Sequence, residues 1–335
     1  DVYTDATTGL RLTNELTEDI SAAYVQAETR FRGTRIVGGV RGERIEEDAR
    51  GFVQARVLST AAQRTTDPGA AANADWNHPK RIEGSYSDYF PSVHVVQRIT
   101  DRLQARLSWS NSIGRPAPGK LLPLETPNNT TLVLTVNNPA LKSQYSENWD
   151  AALEYYFEPI GQLTAGYFRK NLRDFIFASN AGEVTFGPDN GFGGEYGGYQ
   201  LRTDFNGGAA KVEGWELSYQ QELTFLPGVL RGLGVFANYT RLETEGDYGT
   251  PGGNITSGEL LGFIPRTWNA GVSFRYRGLV ARTNVSYTSS HLTTASGTQV
   301  SRVYLFPRTI VNTNLSYAFR KGLSVFADVA NLTDA

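Results

Sequence analysis

The residues equipped for chemistry are scattered along this chain, and their spacing decides what each can do. In "ENWDAALE", Glu147, Asp150 and Glu154 supply carboxylates of the kind that pair in glycoside hydrolysis. On a strand, Asp150 and Glu154 would share a face about 13 Å apart, beyond the roughly 5 to 9.5 Å that such a pair spans. His78, His94 and His291 are the only histidines, are far apart in sequence, and adjoin no nucleophile motif. Neither a His-rich metal centre nor a Ser-His-acid hydrolase is therefore expected, and the absence of Cys removes thiolate metal sites, disulfides and cysteine nucleophiles together. Trp76 and His78 in "ADWNHPK" are candidates for contacting a ligand from a long loop, since an indole stacks on planar groups and an imidazole can meet iron. The glycines of "GPDNGFGGEYGG" (Gly187 to Gly198) suggest a phosphate loop. That stretch lacks the Lys-Ser/Thr pair and no helix signal follows it, so a flexible loop is expected.

A second set of polar residues, Arg106, Glu216, Glu222, Arg282, Asn312 and Asn314, is interesting for its position on alternating segments. In "LVARTNVSYT", Leu279, Ala281, Thr283, Val285 and Tyr287 fall on one face, opposite Arg282, Asn284 and Ser286. In "WELSYQQELTF", Trp215, Leu217, Tyr219, Leu223 and Phe225 oppose Glu216, Ser218, Gln220, Glu222 and Thr224, with Gln221 as the one polar intruder. Leu103, Ala105, Leu107 and Trp109 alternate with Gln104, Arg106, Ser108 and Ser110 in the same way. Ribbons this long with one apolar and one wet face suit a wall between lipid and water. The polar set is expected to line the watery side.

Composition agrees. The 335 residues are 40% hydrophobic, with 17 Phe, 17 Tyr, 5 Trp and 35 Gly. No apolar run approaches the length of about 18 residues that a spanning helix needs, while a barrel that meets lipid on alternate residues tolerates a polar average. Net charge is −2 without strong blocks of either sign, so no nucleic-acid partner is expected. There is no Met, even at position 1, which predicts a processed form or a fragment.

Twelve strands are expected, near 19–32, 34–48, 87–99, 102–115, 145–158, 161–180, 198–225, 232–246, 266–277, 279–293, 306–319 and 322–332. Short connections alternate with long polar ones, at 49 to 85, 116 to 144, 181 to 197, 247 to 265 and 294 to 305. That asymmetry fits an up-and-down barrel with tight periplasmic turns and long extracellular loops. Reading 198–225 as one strand with a glycine bulge or kink keeps the two sides in order; a hairpin at Asn206-Gly207-Gly208 would swap them. Tyr155, Phe157, Tyr239, Tyr276, Tyr287, Tyr317 and Phe319 are expected to form aromatic girdles. A final descending strand is expected to be missing, and the expected fold class is all-β: part of an antiparallel transmembrane β-barrel.

Several segments carry a resemblance. "ENWDAALEYYFEPIGQLTAGYFRKNLRDFI" (Glu147 to Ile176), "AKVEGWELSYQQELTFLPG" (Ala210 to Gly228), "FANYTRLETEG" (Phe236 to Gly246) and "FADVANLTDA" (Phe326 to Ala335) resemble the C-terminal half of the barrel of TonB-dependent outer-membrane receptors. "LTEDISAAYVQAETRF" (Leu16 to Phe31), "GGVRGERIE" (Gly38 to Glu46) and "YFPSVHVVQRITDRLQARLSWSNSIGRP" (Tyr89 to Pro116) are similar to the same family. The resemblance implies that residues 1–335 are a single portion of a 22-stranded barrel, strands ten to twenty-one, without its final strand or plug. It implies a Gram-negative outer membrane, uptake of a scarce solute such as a ferric siderophore, cobalamin or an oligosaccharide, and no enzymatic activity or cofactor. It also implies as partners the membrane lipid, the protein's own N-terminal plug and the TonB–ExbB–ExbD complex. A passive porin-like channel, and a barrel adhesin or hydrolase, are the alternatives.

Overall fold

In the computed structural model of the chain, the described residues are 2–55, 58–158, 160–247, 256–257, 259–260, 262–294, 303–320 and 322–333. Twelve strands stand side by side in chain order. They are β1 (Glu15–Phe31), β2 (Thr34–Val53), β3 (His78–Arg98), β4 (Leu103–Gly114), β5 (Gln144–Phe157), β6 (Gly161–Arg173), β7 (Ala209–Glu222), β8 (Leu233–Asp247), β9 (Arg266–Tyr276), β10 (Leu279–Thr288), β11 (Arg308–Arg320) and β12 (Leu323–Val329). Every neighbouring pair is antiparallel. β1 and β12 are the two ends of the row, and the sheet is open. The two-residue turn between β1 and β2 has positive φ at both Arg32 (45°) and Gly33 (83°), the mirror-image geometry whose twist matches flanking strands.

Register converts the alternation of each strand into two continuous faces. One row of partners runs Ala105, Leu153, Ala165, Leu217, Tyr239, Trp268, Tyr287. The neighbouring row on the opposite face runs Arg106, Ala152, Gly166, Glu216, Thr240, Thr267, Thr288. All seven expected girdle aromatics fall on the apolar face. Near one end of the strands lie the pairs Trp109–Trp149, Tyr167–Trp215 and Trp268–Tyr287, with ring centroids 6.2, 5.0 and 5.8 Å apart. Near the other end lie Tyr155–Phe157 and Tyr317–Phe319, at 4.9 and 4.7 Å. Trp149 and Phe157 are separated by about 27 Å of strand, or about 20 Å across a membrane at the usual tilt of barrel strands.

The wall differs from the expected segments where the strands leave it. β2 runs to Val53 and β3 starts at His78, so much of the expected 49–85 loop is strand and the connection shortens to 54–77. That connection holds helices α2 (Ala61–Thr66) and α3 (Pro68–Trp76), packed against an unanticipated helix α1 (Val2–Leu12). The expected strands 161–180 and 198–225 are each broken. β6 ends at Arg173 and β7 begins at Ala209, while Ile176–Glu183 and Gln200–Asn206 bend away and pair with each other above the wall. Asp174 (φ 55°) and Gly208 (φ 76°) supply the left-handed residues that turn the two chains out together. Asn206 fastens the bend, its amide donating to the carbonyls of Asp174 at 2.9 Å and Lys142 at 2.8 Å. The alternation of sides survives because the break is not a hairpin. Large parts of the expected loops 247–265 and 294–305, and the end of the "FADVANLTDA" segment, lie outside the described residues.

Candidate functional site

The long connections are joined to one another. Glu125–Asn128, Val133–Val136, Gln200–Asn206 and Ile176–Glu183 form a four-stranded sheet in that order, with Val133–Val136 parallel to Gln200–Asn206. Lys120, at the end of α4 (Pro118–Leu121), binds Asp204 at 2.7 Å. Leu134 is wholly buried in this sheet. Beneath the bend, Ala210, Val212 and Leu260 are buried against Phe168, Leu172, Phe175, Phe205, Leu242 and Phe263. The apolar side chains on the polar face of β6, β7 and β8 are thus covered by the loops above them. The glycine-rich loop is shaped by Asn190, whose side chain reaches the carbonyls of Thr185 and Glu195 and accepts from the N–H groups of Phe192 and Gly194. A strand follows it and no helix, in keeping with the absence of a phosphate-loop motif. Tyr196 from this loop hydrogen-bonds Gln54. Burial, with the Glu125 charge nearby, raises the Tyr196 phenol, and burial likewise raises the Glu125 carboxyl.

The 54–77 connection is fixed by one buried carboxylate. Asp75, 1% exposed, accepts the backbone N–H and hydroxyl of Ser59, each at 2.6 Å, and the Tyr3 hydroxyl, and pairs with Arg64 at 3.2 Å. Burial pushes this carboxyl up, but the hydrogen bonds from Ser59 and Tyr3 and the charge of Arg64 outweigh it and leave it below its ordinary value. The Tyr3 phenol is pushed up to about 12, by burial first and by the adjacent carboxylate second.

A cavity of about 710 Å³ opens where β3 parts from β4. Its walls are Lys80, Ile82, Glu83, Ser85, Tyr86 and Asp88 of β3, Glu47 of β2, the 138–143 segment, and Tyr145, Arg173 and Asp174. Arg173 lies over the Tyr145 ring at 4.7 Å, and Ser143 donates to the Tyr86 hydroxyl at 3.3 Å. One Asp88 carboxylate oxygen is shielded from solvent with no hydrogen-bond partner among the described residues. Carboxylates and cations both face the space, alongside two tyrosines, a lining that suits a polar ligand carrying charges of both signs.

The expected site residues are distributed over three places. Arg106 binds Glu154 at 2.5 Å and shares its row with Glu216. Glu222, Arg282 and Asn314 share another row with Asp328, which hydrogen-bonds Asn314. Asn312 is on the same polar face one row away and accepts from the Asn331 N–H at 2.9 Å. All six occupy one face, in different rows. Trp76, expected to contact a ligand, is 5% exposed at the end of α3, under the Arg11 guanidinium at 4.9 Å. His78 is exposed, with its ring Nε2 2.8 Å from the Ala74 carbonyl oxygen. The cavity residues Tyr86, Asp88 and Tyr145 were not among the candidates. Tyr86 lay between the expected 49–85 loop and the strand expected from 87, and only the faint alternation of Ile82, Tyr86 and Phe90 along "RIEGSYSDYF" marks that stretch as strand.

A family profile described as TonB dependent receptor-like, beta-barrel, matches residues 1–332. Among solved structures, the ferric-catecholate import receptor Fiu from K12 E. coli, closed form, is 14% identical over 96% of this chain and 41% of that chain, with a TM-score of 0.67. The FrpB iron transporter from Neisseria meningitidis (F5-1 variant) is 15% identical over 99% of this chain and 43% of that chain, at 0.61. The copper transporter OprC is 15% identical over 96% and 43%, at 0.63. At such identities the likeness is one of fold, and the chain spans less than half the length of these structures. No curated protein matches by sequence.

Proposed function

Because the chain belongs to the TonB dependent receptor-like β-barrel family of the outer membrane, we propose that it forms the solute-capturing part of the wall of a TonB-energised transporter. The observation that carries this reading is the cavity. Its wall includes the 138–143 segment of a long loop, and its β3 residues Ile82, Tyr86 and Asp88 have the parity of the polar face that holds Arg106, Glu216, Glu222, Arg282, Asn312 and Asn314. A solute held there would stand at the head of a hydrophilic wall. Below it, the six polar residues line the lumen and contact the plug supplied by the rest of the protein. The TonB–ExbB–ExbD complex acts on that rest, and the present residues bind and admit the solute without catalysing its conversion.

The named substrates of structurally similar proteins are iron chelates, iron and copper, and a metal chelate is the first solute to try. Energised uptake by cells carrying the full-length protein tests the reading. Tyr86→Ala combined with Arg173→Ala should lower uptake about tenfold or more at limiting solute, through loss of a stacking or hydrogen-bonding group and a cation. Collapsing the proton-motive force should abolish uptake in the unaltered protein. Uptake that persists after collapse would instead make this a passive channel.

A further inference from the structure

Strand β3 is paired on one edge along nearly its whole length and on the other only at its foot. Residues 78–97 face β2 throughout, whereas β4 meets only Ser92–Arg98. Above Ser110, β4 continues with β5 alone. Two hydrogen bonds at the foot set the direction of the free groups. The Arg98 N–H donates to Gly33 on the β2 side at 2.9 Å, and the Ile99 N–H donates to Leu103 on the β4 side at 2.9 Å. Strand alternation then turns odd-numbered residues toward the β4 side. Arg81, Glu83, Ser85, Ser87 and Tyr89 therefore present N–H and C=O groups to an open edge, and among the described residues no backbone group reaches them. Pro79 and Pro91 share this parity, where a missing N–H costs no bond to β2, and they bound the open stretch.

This edge is the rim of the cavity, since Glu83 and Ser85 line it. We propose that the cavity takes a short extended peptide, which adds as a strand to β3 between Arg81 and Tyr89. The inference rests on the reading of the cavity as the solute site and names its substrate class. Donors and acceptors repeating every two residues along a line are matched by another extended backbone, as in strand addition to sheet edges. A sugar or a planar chelate would meet them one at a time. The volume of about 710 Å³ admits a small ligand and not a folded domain. Lys142 and Arg173, with Glu83 and Asp174 in the same lining, offer both signs of charge to the two charged ends of a short peptide.

Residue-resolved hydrogen exchange on the purified full-length receptor, with a pool of mixed-sequence pentapeptides as the probe, tests the proposal. The amides of Glu83, Ser85 and Ser87, the stretch a pentapeptide centred on Ser85 would cover, should exchange rapidly in the free protein and about tenfold more slowly with the pool. Even-numbered neighbours, bonded to β2, should stay protected in both states. Ser85→Pro removes the central donor at a parity that already accommodates two prolines and should abolish the protection, whereas Ser85→Ala should keep it. Continued protection of the even-numbered amides shows that the proline variant is folded. Unchanged exchange at saturating peptide, or protection that survives Ser85→Pro, overturns the proposal. Energised uptake of a labelled pentapeptide from the pool separates the two readings. Energised uptake of a metal chelate with an edge indifferent to peptide refutes the peptide class alone. An edge protected by peptide without energised uptake of it supports the peptide site and refutes transport alone.

Discussion

Asp75 holds the 54–77 connection in shape by gathering Ser59, Tyr3 and Arg64 around one buried carboxylate. Its folded-state acidity is strengthened, so its contribution is present above the ordinary carboxyl pKa of about 4 and is lost as pH falls through the lower folded value. Tyr3 has the opposite sign: its phenol is raised to about 12, so its contribution holds below about 10 and is lost as pH climbs toward the folded value. The fluorescence of Trp76, packed in the same corner, should stay constant between these limits and change at both extremes. Asp75→Asn should remove the acid limb and cost the loop about 2–3 kcal/mol, because a neutral amide replaces the acceptor of a charge-assisted network. Trp76 carries the matching lesson about candidates. An aromatic in a polar loop looks available in sequence, but here helices α1 and α3 bury it, while the neighbouring His78 remains in solvent.

At the scale of elements, the wall depends on close approach between strands. Gly214 of β7 faces Phe168 of β6 and Leu242 of β8 on the polar side. A Cβ there would press on the Arg241 carbonyl oxygen, lie 3.0 Å from the Phe168 ring and lie 3.2 Å from Leu242. Gly214→Val should therefore destabilise the sheet by about 1–3 kcal/mol or displace β8. The expected signature is a lower temperature for the heat-induced mobility shift of the full receptor in detergent gels, with Gly166→Ala, where the nearest contact of the added Cβ would be 3.7 Å, close to unaltered. The bends after β6 and before β7 show the same dependence. Asp174 and Gly208 permit the turn, but Asn206 and the cluster around Leu260 make leaving the wall favourable, since each buried apolar side chain contributes about 1.5–3 kcal/mol.

For the molecule as a whole, the two faces answer to two solvents. Leu217 stands between Trp215 and Tyr219 on the apolar face, and Ser218 stands on the polar one. Leu217→Arg should cost about 2–4 kcal/mol in a bilayer and Ser218→Arg about 1 or less, read as denaturant unfolding of the full receptor in lipid vesicles. Equal costs would contradict the assignment of lipid and water to these faces. Twelve strands, their apolar and polar faces, their antiparallel order and the side of each long connection were all legible in the sequence. The reason is that side-chain alternation has a period of two and is written within each segment. The outer membrane followed from the family resemblance and not from the period. What the tertiary structure alone decided was where each strand stops, the helices of the first long loop, the burial of Trp76, and the cavity with its open β3 edge. Those features arise from contacts between segments far apart in the chain, such as Tyr3 with Asp75, Tyr196 with Gln54 and Lys142 with Asn206. No local pattern records such meetings, because each is settled by which surfaces remain to be paired once the wall has formed.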